Sequence, residues 1–292
     1  GRAHWHWKKK EQAALEVEML MFDVIATSSR VMMTSFKNFD ELGAAYWNEA
    51  SKKSVVTPEI KTLANEITKD MTTPEKQANA IYLWVNKNIR YLSIVADRSG
   101  WIPHSAADIL ANRYGDCKDY AMLLNTLLKA KDIESYPVII RADMGEWFPS
   151  VAAPSYFNHA ILYIPSLDLF ADCTSPNSRL GLIPQHIVGK KAFLAGSKTG
   201  VVETPSNRPD ENQIISSVSL DLSKTGDLKA KSVNAYVGRA ELLIRPILSD
   251  TNFREKGLVP FMLAFYGLSG NGKLIKSSDP FQVGEPFEVE FE

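Results

Sequence analysis

The amino-acid sequence predicts an α+β protein, in which N-terminal helices pack on an antiparallel sheet and a smaller β-rich domain follows. Three observations lead to this prediction. Helical periods and helix-start signals occupy residues 40–129. Short runs of strand composition then follow over 135–174, and alternating strands return after residue 213. Because the helices precede the strands instead of alternating with them, the order is typical of α+β folds.

Length and composition bound the class of protein. The chain has 292 residues, which is enough for two domains of common size, and its 45% hydrophobic content is ordinary for a soluble globular protein. A formal net charge of −1 gives no reason to expect nucleic acid as a partner. No apolar run is long enough to suggest a transmembrane segment. We divide the chain into the truncated end of a β-rich N-terminal domain, a core, and a truncated β-rich C-terminal domain, at 1–34, 35–204 and 205–292.

The N-terminal 34 residues contain three short runs that predict strands. These runs lie at 4–7, 22–25 and 30–33. The first places His4 and His6 on one strand face, a spacing that can ligate a metal. No further ligand lies nearby in the sequence, so we interpret them as an ordinary surface pair and expect no metal or cofactor.

Helix-start signals follow in quick succession. Thr57 and Thr73 each precede Pro-Glu, which gives an N-cap, a proline suited to the first helical position and an acidic first turn. An acidic start at Asp40 predicts an earlier helix that runs to about Lys52. Ser105 is expected to cap a short helix over 106–112.

The helix after residue 116 is the centre of the prediction. Asp116 suits the N-cap, and Asp119 stands where a capping box would place it. Apolar side chains then fill nearly every side for about three turns, so this helix should be buried. Cys117 falls in its first turn, where the helix dipole favours thiolate and makes the cysteine a better nucleophile. The alternative is that Cys117 is an inert, small buried hydrophobe.

The predicted strands supply two groups that suit a thiol nucleophile. Strands are expected over 135–141, 157–164 and 167–174, the last two joined as a hairpin by Pro165-Ser166. His159 opens one strand of the hairpin and Asp172 closes the other, so they can be neighbours if the register allows. A carboxylate orients an imidazole, and an imidazole activates a thiol. Cys117, His159 and Asp172 thus form a candidate nucleophile, base and orienting group, although each alone has an ordinary structural alternative.

Three segments resemble the motifs of the transglutaminase-like superfamily, in particular a bacterial branch with flanking β-rich domains. They lie at 115–121, 157–160 and 171–174. The resemblance implies a papain-type fold, the same three catalytic roles, and a periplasmic or cell-envelope location. Cys173 is a departure, since the family most often has Pro or Ala there. We expect it to be buried filler, and we disfavour a redox pair with Cys117.

The resemblance implies a cysteine peptidase or amidase that transfers an acyl group from a peptide or protein amide to water through a thioester on Cys117. Two alternatives stay open. One is a protein-crosslinking transglutaminase, and the other is a peptide- or wall-binding module with a vestigial triad. The backbone N–H of Cys117 is the expected oxyanion donor, with Trp101 or Asn158 as a second donor. A buried or loop-anchoring role is the favoured interpretation of Trp101. The loop at 143–156, with Trp147 and Phe148, should wall one side of the cleft.

The C-terminal region shows structural signals but no set of chemical groups. A polar, proline-rich linker is expected over 203–210. A hairpin, two short helices interrupted by prolines, and a terminal strand are expected at 214–237, 240–248, 257–268 and 286–291. We assign this region a packing or partner-binding role.

Overall fold

A computed structural model of the protein confirms the α+β class. It describes residues 4–10, 16, 28–93, 100–143, 145, 147–265 and 267–292. Helices lead, an antiparallel sheet follows, and a separate antiparallel sheet forms the C-terminal part. The helices are α1 Phe39–Ala50, α2 Pro58–Thr68, α3 Pro74–Asn88, α4 Ala106–Asn112, α5 Cys117–Lys129, α6 Arg239–Ser249 and α7 Leu258–Phe265.

The early helices begin where their capping residues predict. Thr57 and Thr73 each accept a hydrogen bond, 3.3 Å long, from the backbone N–H three residues on, and a proline follows each of them. Helix α1 starts slightly before its expected position. Its N-cap is Asn38 instead of Asp40, because the Asn38 side chain accepts the first-turn N–H of Glu41 at 2.9 Å.

Helix α5 is the central helix of the core. Every residue from Asp119 to Leu128 is buried, as the apolar pattern predicted. The capping box is also confirmed: the Asp116 carboxylate accepts the N–H of Lys118, and the Asp119 carboxylate accepts the N–H of Asp116, both at 3.2 Å. These bonds fix where the helix begins, and therefore fix the position of its first residue, Cys117.

The main sheet has the strand order β5-β4-β3-β6-β7, with every neighbouring pair antiparallel. Its strands are β3 Tyr136–Ile140, β4 His159–Ile164, β5 Leu169–Ala171, β6 Lys191–Ala195 and β7 Thr199–Glu203. The central strand β3 is buried along its whole length, because apolar clusters cover both faces. Helix α5 packs on β3 and β4, so the helix that begins at Cys117 lies directly on the strand that carries His159.

The β4–β5 hairpin is confirmed, but its turn differs from the prediction. Leu162 lies opposite Ala171 in the register. The connection is the four-residue segment from Pro165 to Asp168, not Pro165-Ser166 alone, and Asp168 takes a left-handed backbone with φ 51°. Aspartate tolerates that conformation better than most residues, which accounts for the longer turn.

The C-terminal sheet has the strand order β10-β11-β9-β8, again entirely antiparallel. Its strands are β8 Gln213–Leu222, β9 Leu228–Val237, β10 Leu274–Ser277 and β11 Phe287–Phe291. The predicted hairpin and terminal strand are confirmed, whereas β10 was not anticipated. Two further short strands, β1 Arg90–Tyr91 and β2 Tyr114–Gly115, pair in parallel beside the start of α5.

Neither proline of this region interrupts its helix, contrary to the prediction. Pro246 lies inside α6, and Pro260 lies in α7, which continues directly from a π-helical turn at Phe253–Gly257. The turn before Pro246 is held by the buried Arg245 guanidinium, which binds the Glu241 carboxylate of the same helix at 2.7 Å. It also donates to backbone carbonyls of three residues on a following loop, Asp279, Gln282 and Glu285.

The strands expected near the N-terminus are wrong where the structure describes them. Residues 4–10 and 28–34 form no strand, and the run at 22–25 lies outside the described residues. His4 and His6 are exposed. Short runs of this kind have no hairpin partner in the described segment, and isolated strands are not stable.

The described residues include no helix that is long and apolar enough to cross a membrane.

Candidate active site

Cys117 lies at the seam between the helical layer and the main sheet. It is the first residue of α5 and is partly buried, and its side chain opens onto a cavity of about 200 Å³. The lining includes four aromatic side chains, Tyr46, Tyr91, Trp101 and Phe157, together with Asn158 and His159. The first N–H groups of a helix have no partner within the helix, so they point positive charge toward this cavity.

His159 and Asp172 form a buried pair beside the thiol. Nε2 of His159 lies 2.9 Å from Oδ2 of Asp172, and their side chains are only 9% and 1% exposed. Oδ1 of Asp172 accepts hydrogen bonds from the N–H and the hydroxyl of Thr174, at 3.0 and 2.6 Å. The carboxylate is therefore held in one orientation, and it fixes the imidazole in turn.

The charges of this pair depend on each other. Burial alone would lower the pKa of His159, but the Asp172 carboxylate, and to a smaller extent Cys117, raise it to about 10. Burial raises the pKa of Asp172, but the imidazolium and the Thr174 hydrogen bonds outweigh burial and leave it below its usual value. An ion pair is thus the preferred state of the two groups near neutral pH.

Cys117 and His159 line the same cavity, and the Cys117 side chain contributes to the raised pKa of His159. Since Nε2 faces Asp172, Nδ1 is the nitrogen that remains for the thiol. The structure therefore brings together the three groups singled out in the sequence, in the order sulfur, imidazole, carboxylate. A thiolate beside an imidazolium is the arrangement that thiol nucleophiles use.

Two other carboxylates stand near the sulfur, and both are occupied. Lys118 Nζ binds Asp116 Oδ2 at 2.5 Å, and these side chains are 13% and 19% exposed. Asp119 accepts the backbone N–H of His104 at 2.9 Å and faces the His104 ring at 3.2 Å. These contacts offset the negative charge that the capping box places beside Cys117.

Comparison with known proteins identifies the domain around this site. Residues 61–157 match the model of the Transglutaminase-like superfamily. The chain carries a transglutaminase-like domain. The matched segment contains Cys117 and ends two residues before His159, so the imidazole and the carboxylate lie outside it.

Solved structures with low sequence identity resemble the chain. A protein provisionally named a protease, from Parabacteroides distasonis, aligns with 16% identity and a TM-score of 0.45, over 66% of this chain and 38% of that one. A protein provisionally named a cysteine protease, from Cytophaga hutchinsonii, aligns with 17% identity and a TM-score of 0.33, over 55% and 57%. The chain thus spans well under two thirds of either protein. No curated protein matches it.

The two expected second oxyanion donors both line the cavity of the transglutaminase-like domain. Trp101 is partly buried and packs against the main core, as a loop anchor would. Asn158 is exposed, and its amide is already paired with the backbone of Ala142: Oδ1 accepts the N–H at 2.7 Å and Nδ2 donates to the carbonyl at 3.3 Å. Asn158 therefore extends the pairing of β3 with β4, which fixes the orientation of its amide and leaves one Nδ2 hydrogen for a substrate.

The loop at 143–156 packs on itself and on the core more than on the cavity. The Phe148 ring lies 4.8 Å from that of Phe39, and Trp147 stands edge-on to Tyr156 at 4.9 Å. Neither Trp147 nor Phe148 lines the cavity beside Cys117 among the residues described. Both side chains therefore anchor the loop in this structure.

Two residues near the reacting groups escaped the sequence interpretation. The His186 ring lies 6.4 Å from that of His159, and burial together with that neighbouring charge lowers the pKa of His186. Tyr91 lines the cavity beside Cys117, and burial together with the charge of Cys117 raises the pKa of Tyr91 to about 12. Neither stands in a recognisable motif, and each reaches the site through long-range packing, so no local signal could have indicated them.

Cys173 is the second free cysteine of the chain. It is 3% exposed and belongs to the main apolar core, and burial raises the pKa of its thiol well above the usual value. A buried thiol of this kind is unreactive, which agrees with its interpretation as filler.

Within the described segments, no group of three or more His, Cys, Asp or Glu side chains is placed to hold a metal ion.

Proposed function

We propose that the domain is a cysteine peptidase or amidase, which cleaves an amide of a peptide or protein through a thioester on Cys117. The observation that carries this proposal is the buried His159–Asp172 pair, with 2.9 Å between Nε2 and Oδ2, next to the Cys117 side chain. A raised imidazole pKa favours the thiolate–imidazolium state that attacks carbonyl carbon.

The chemistry follows from this geometry. The Cys117 thiolate attacks the amide carbon, and the carbonyl electrons move to oxygen, where the Cys117 N–H at the start of α5 stabilises the charge. His159 gives its proton to the leaving amine, and the C–N bond breaks to leave the thioester. His159 then takes a proton from water, which attacks the thioester and releases the acid and the thiolate. Asp172 holds the imidazole in place throughout and stabilises its charged form.

Water is the acceptor in this proposal, because water is always available to a thioester that forms at the open cavity beside Cys117. A transglutaminase would instead pass the acyl group to an amine. Turnover with and without a dansylated alkylamine separates the two, since only a transglutaminase would incorporate the amine into a protein substrate.

Alkylation with iodoacetamide tests the proposal, with mass spectrometry to locate the label. We expect Cys117 to react rapidly below about pH 8, whereas the buried Cys173 should remain unlabelled in the folded protein. Cys117→Ala should abolish cleavage of a library of internally quenched peptides, and Cys173→Ala should leave cleavage near the wild-type rate. Slow labelling of Cys117, with peptide binding that survives Cys117→Ala, would instead indicate a binding module.

A further inference from the structure

Tyr91 combines high exposure with a fixed position. The side chain is 45% exposed, which is unusual for a tyrosine packed against a core, and it stands at the rim of the cavity that Cys117 faces. Its ring packs on that of Tyr120, with 5.8 Å between the centroids. Tyr120 is itself buried in α5 and donates to the carbonyl of Ile89. The ring is therefore held on one side and open to the cavity on the other.

The backbone of Tyr91 is tied directly to the segment that leads into Cys117. Strand β1 pairs in parallel with β2, and Tyr91 is the register partner of Gly115. The N–H of Arg90 donates to the carbonyl of Arg113 at 2.8 Å, and that of Leu92 donates to the carbonyl of Gly115 at 2.9 Å. Because these bonds flank Tyr91 on both sides, its backbone is held in place beside the segment that leads into Cys117.

Tyr91 and Cys117 line the same cavity, and Tyr91 is paired with Gly115, two residues before Cys117. Partial burial, followed by the charges of Cys117 and nearby acids, raises the pKa of Tyr91 to about 12. The phenol therefore stays protonated at any pH at which the protein would work, and it can only act as a hydrogen-bond donor toward an anion at this place.

We propose that the Tyr91 hydroxyl is the second donor of the oxyanion site, beside the backbone N–H of Cys117. In the free protein it donates to the sulfur. When the thiolate attacks a carbonyl, negative charge moves from sulfur to the carbonyl oxygen, and the hydroxyl follows that charge by a small rotation. No proton is transferred. The inference rests on the proposed function, since it assigns a role in the same acyl transfer.

The other candidates are less well placed. The amide of Asn158 is paired with the backbone of Ala142. Trp101 lines the cavity but also packs against the main core, whereas Tyr91 lines the cavity from a strand that is paired with the segment leading into Cys117. A hydrogen bond to the thiolate could also shield the sulfur and slow its attack. That alternative makes the opposite prediction for removal of the hydroxyl.

The test compares Tyr91→Phe with Tyr114→Phe. Tyr114 is a comparably exposed tyrosine, at 42%, on the strand paired with β1, and it serves as the matched control. Three quantities are measured in the full chain: the rate of Cys117 alkylation by iodoacetamide, kcat/KM for quenched peptides, and the inhibition constant of a dipeptide aldehyde. The aldehyde forms a thiohemiacetal with a thiol and places an oxygen at the oxyanion site without turnover.

We expect Tyr91→Phe to lower kcat/KM by about 10- to 100-fold and to weaken aldehyde binding by a similar factor, while the alkylation rate changes by less than about 3-fold. Tyr114→Phe should leave all three quantities near wild type.

Unchanged aldehyde affinity and kcat/KM in Tyr91→Phe would overturn the proposal. Faster alkylation together with faster turnover would also overturn it, because that result indicates that the hydroxyl shields the sulfur. If the wild-type protein binds the aldehyde but cleaves no peptide, the proposed peptidase function fails. The role of Tyr91 in the oxyanion site can still be tested in that case, through the effect of Tyr91→Phe on aldehyde affinity. A wild-type protein that binds no aldehyde would overturn the oxyanion site itself.

Discussion

Replacement of Asp172 by asparagine removes the negative charge that faces His159 and keeps the size and shape of the side chain. The side chain is 1% exposed and its Oδ2 lies 2.9 Å from Nε2 of His159. Solvent therefore cannot stabilise the imidazolium in place of the lost carboxylate. Without the carboxylate, the pKa of His159 should fall from about 10 toward its ordinary 6.5 or lower, because burial disfavours the imidazolium. Near pH 7.5 the imidazolium would then drop from nearly all molecules to less than about a tenth of them. Alkylation of Cys117 should slow by about 10-fold or more.

The same shift has a consequence for stability. A histidine whose pKa rises from 6.5 in the unfolded chain to about 10 in the fold adds about 3 kcal/mol to the free energy of unfolding near pH 7.5. Since the folded pKa is the higher, this stabilisation is complete below about pH 6.5 and disappears as the pH rises through about 10. Cys117 contributes part of it, so Asp172→Asn should cost about 2–3 kcal/mol near pH 7.5 and much less near pH 10.5.

Urea unfolding followed by circular dichroism at the two pH values measures this difference. Asp168→Asn is the matched control, since Asp168 is exposed on the turn of the same hairpin, where asparagine tolerates the left-handed backbone. We expect Asp168→Asn to change the free energy of unfolding by less than about 0.5 kcal/mol. The reasoning is refuted if Asp172→Asn costs no more than Asp168→Asn near pH 7.5, or if its cost is undiminished near pH 10.5.

Two further predictions concern the scaffold. Gly43→Ala should lower the free energy of unfolding by about 1–3 kcal/mol, because an added Cβ on α1 would lie 2.4 Å from the carbonyl oxygen of Leu194 on β6. Chemical denaturation measures this loss. Gly270→Ala is the control and should leave the free energy of unfolding unchanged, because a Cβ added at Gly270 would meet no atom within 4 Å. Arg245→Leu should cost about 3–5 kcal/mol, because it strands the buried Glu241 carboxylate, and addition of Glu241→Gln should recover much of the loss. Hydrogen exchange of the β9 amides measures this effect, and wild-type protection in the single variant would contradict it.

Features with a local physical cause could be predicted from the sequence. The caps at Thr57 and Thr73 and the capping box at Asp116 depend on side chains that bond a backbone group within three residues. The apolar period of α5 and the alternation of β8 and β9 likewise need only neighbouring residues. The N-cap of α1 shifted from Asp40 to Asn38 because both residue types satisfy the same local rule.

Features that depend on distant contacts could not be predicted in this way. Pro246 continues α6 although a proline usually ends a helix, because Arg245 ties that turn to a loop more than thirty residues away. The position of Tyr91 results from the parallel pairing of two-residue strands, which leave almost no pattern in the sequence. The residues of the candidate site differ in the same way. Cys117 and His159 could be picked out from their residue types, whereas Tyr91 could be found only from the folded structure.

The dependence of the site on one packing contact follows from where its groups lie. Helix α5 supplies the sulfur and its helix-terminal N–H groups, while β4 and the residue after β5 supply the imidazole and the carboxylate. The hairpin holds His159 against Asp172 whatever the helix does, but the approach of sulfur to imidazole is set by α5 lying on β4. Side chains between them, such as Leu124 and Ala160, are buried in the same core. A change of core volume there should therefore disturb the thiol–imidazole contact while the His159–Asp172 pair survives, since a shift of about 1 Å is enough to impair catalysis.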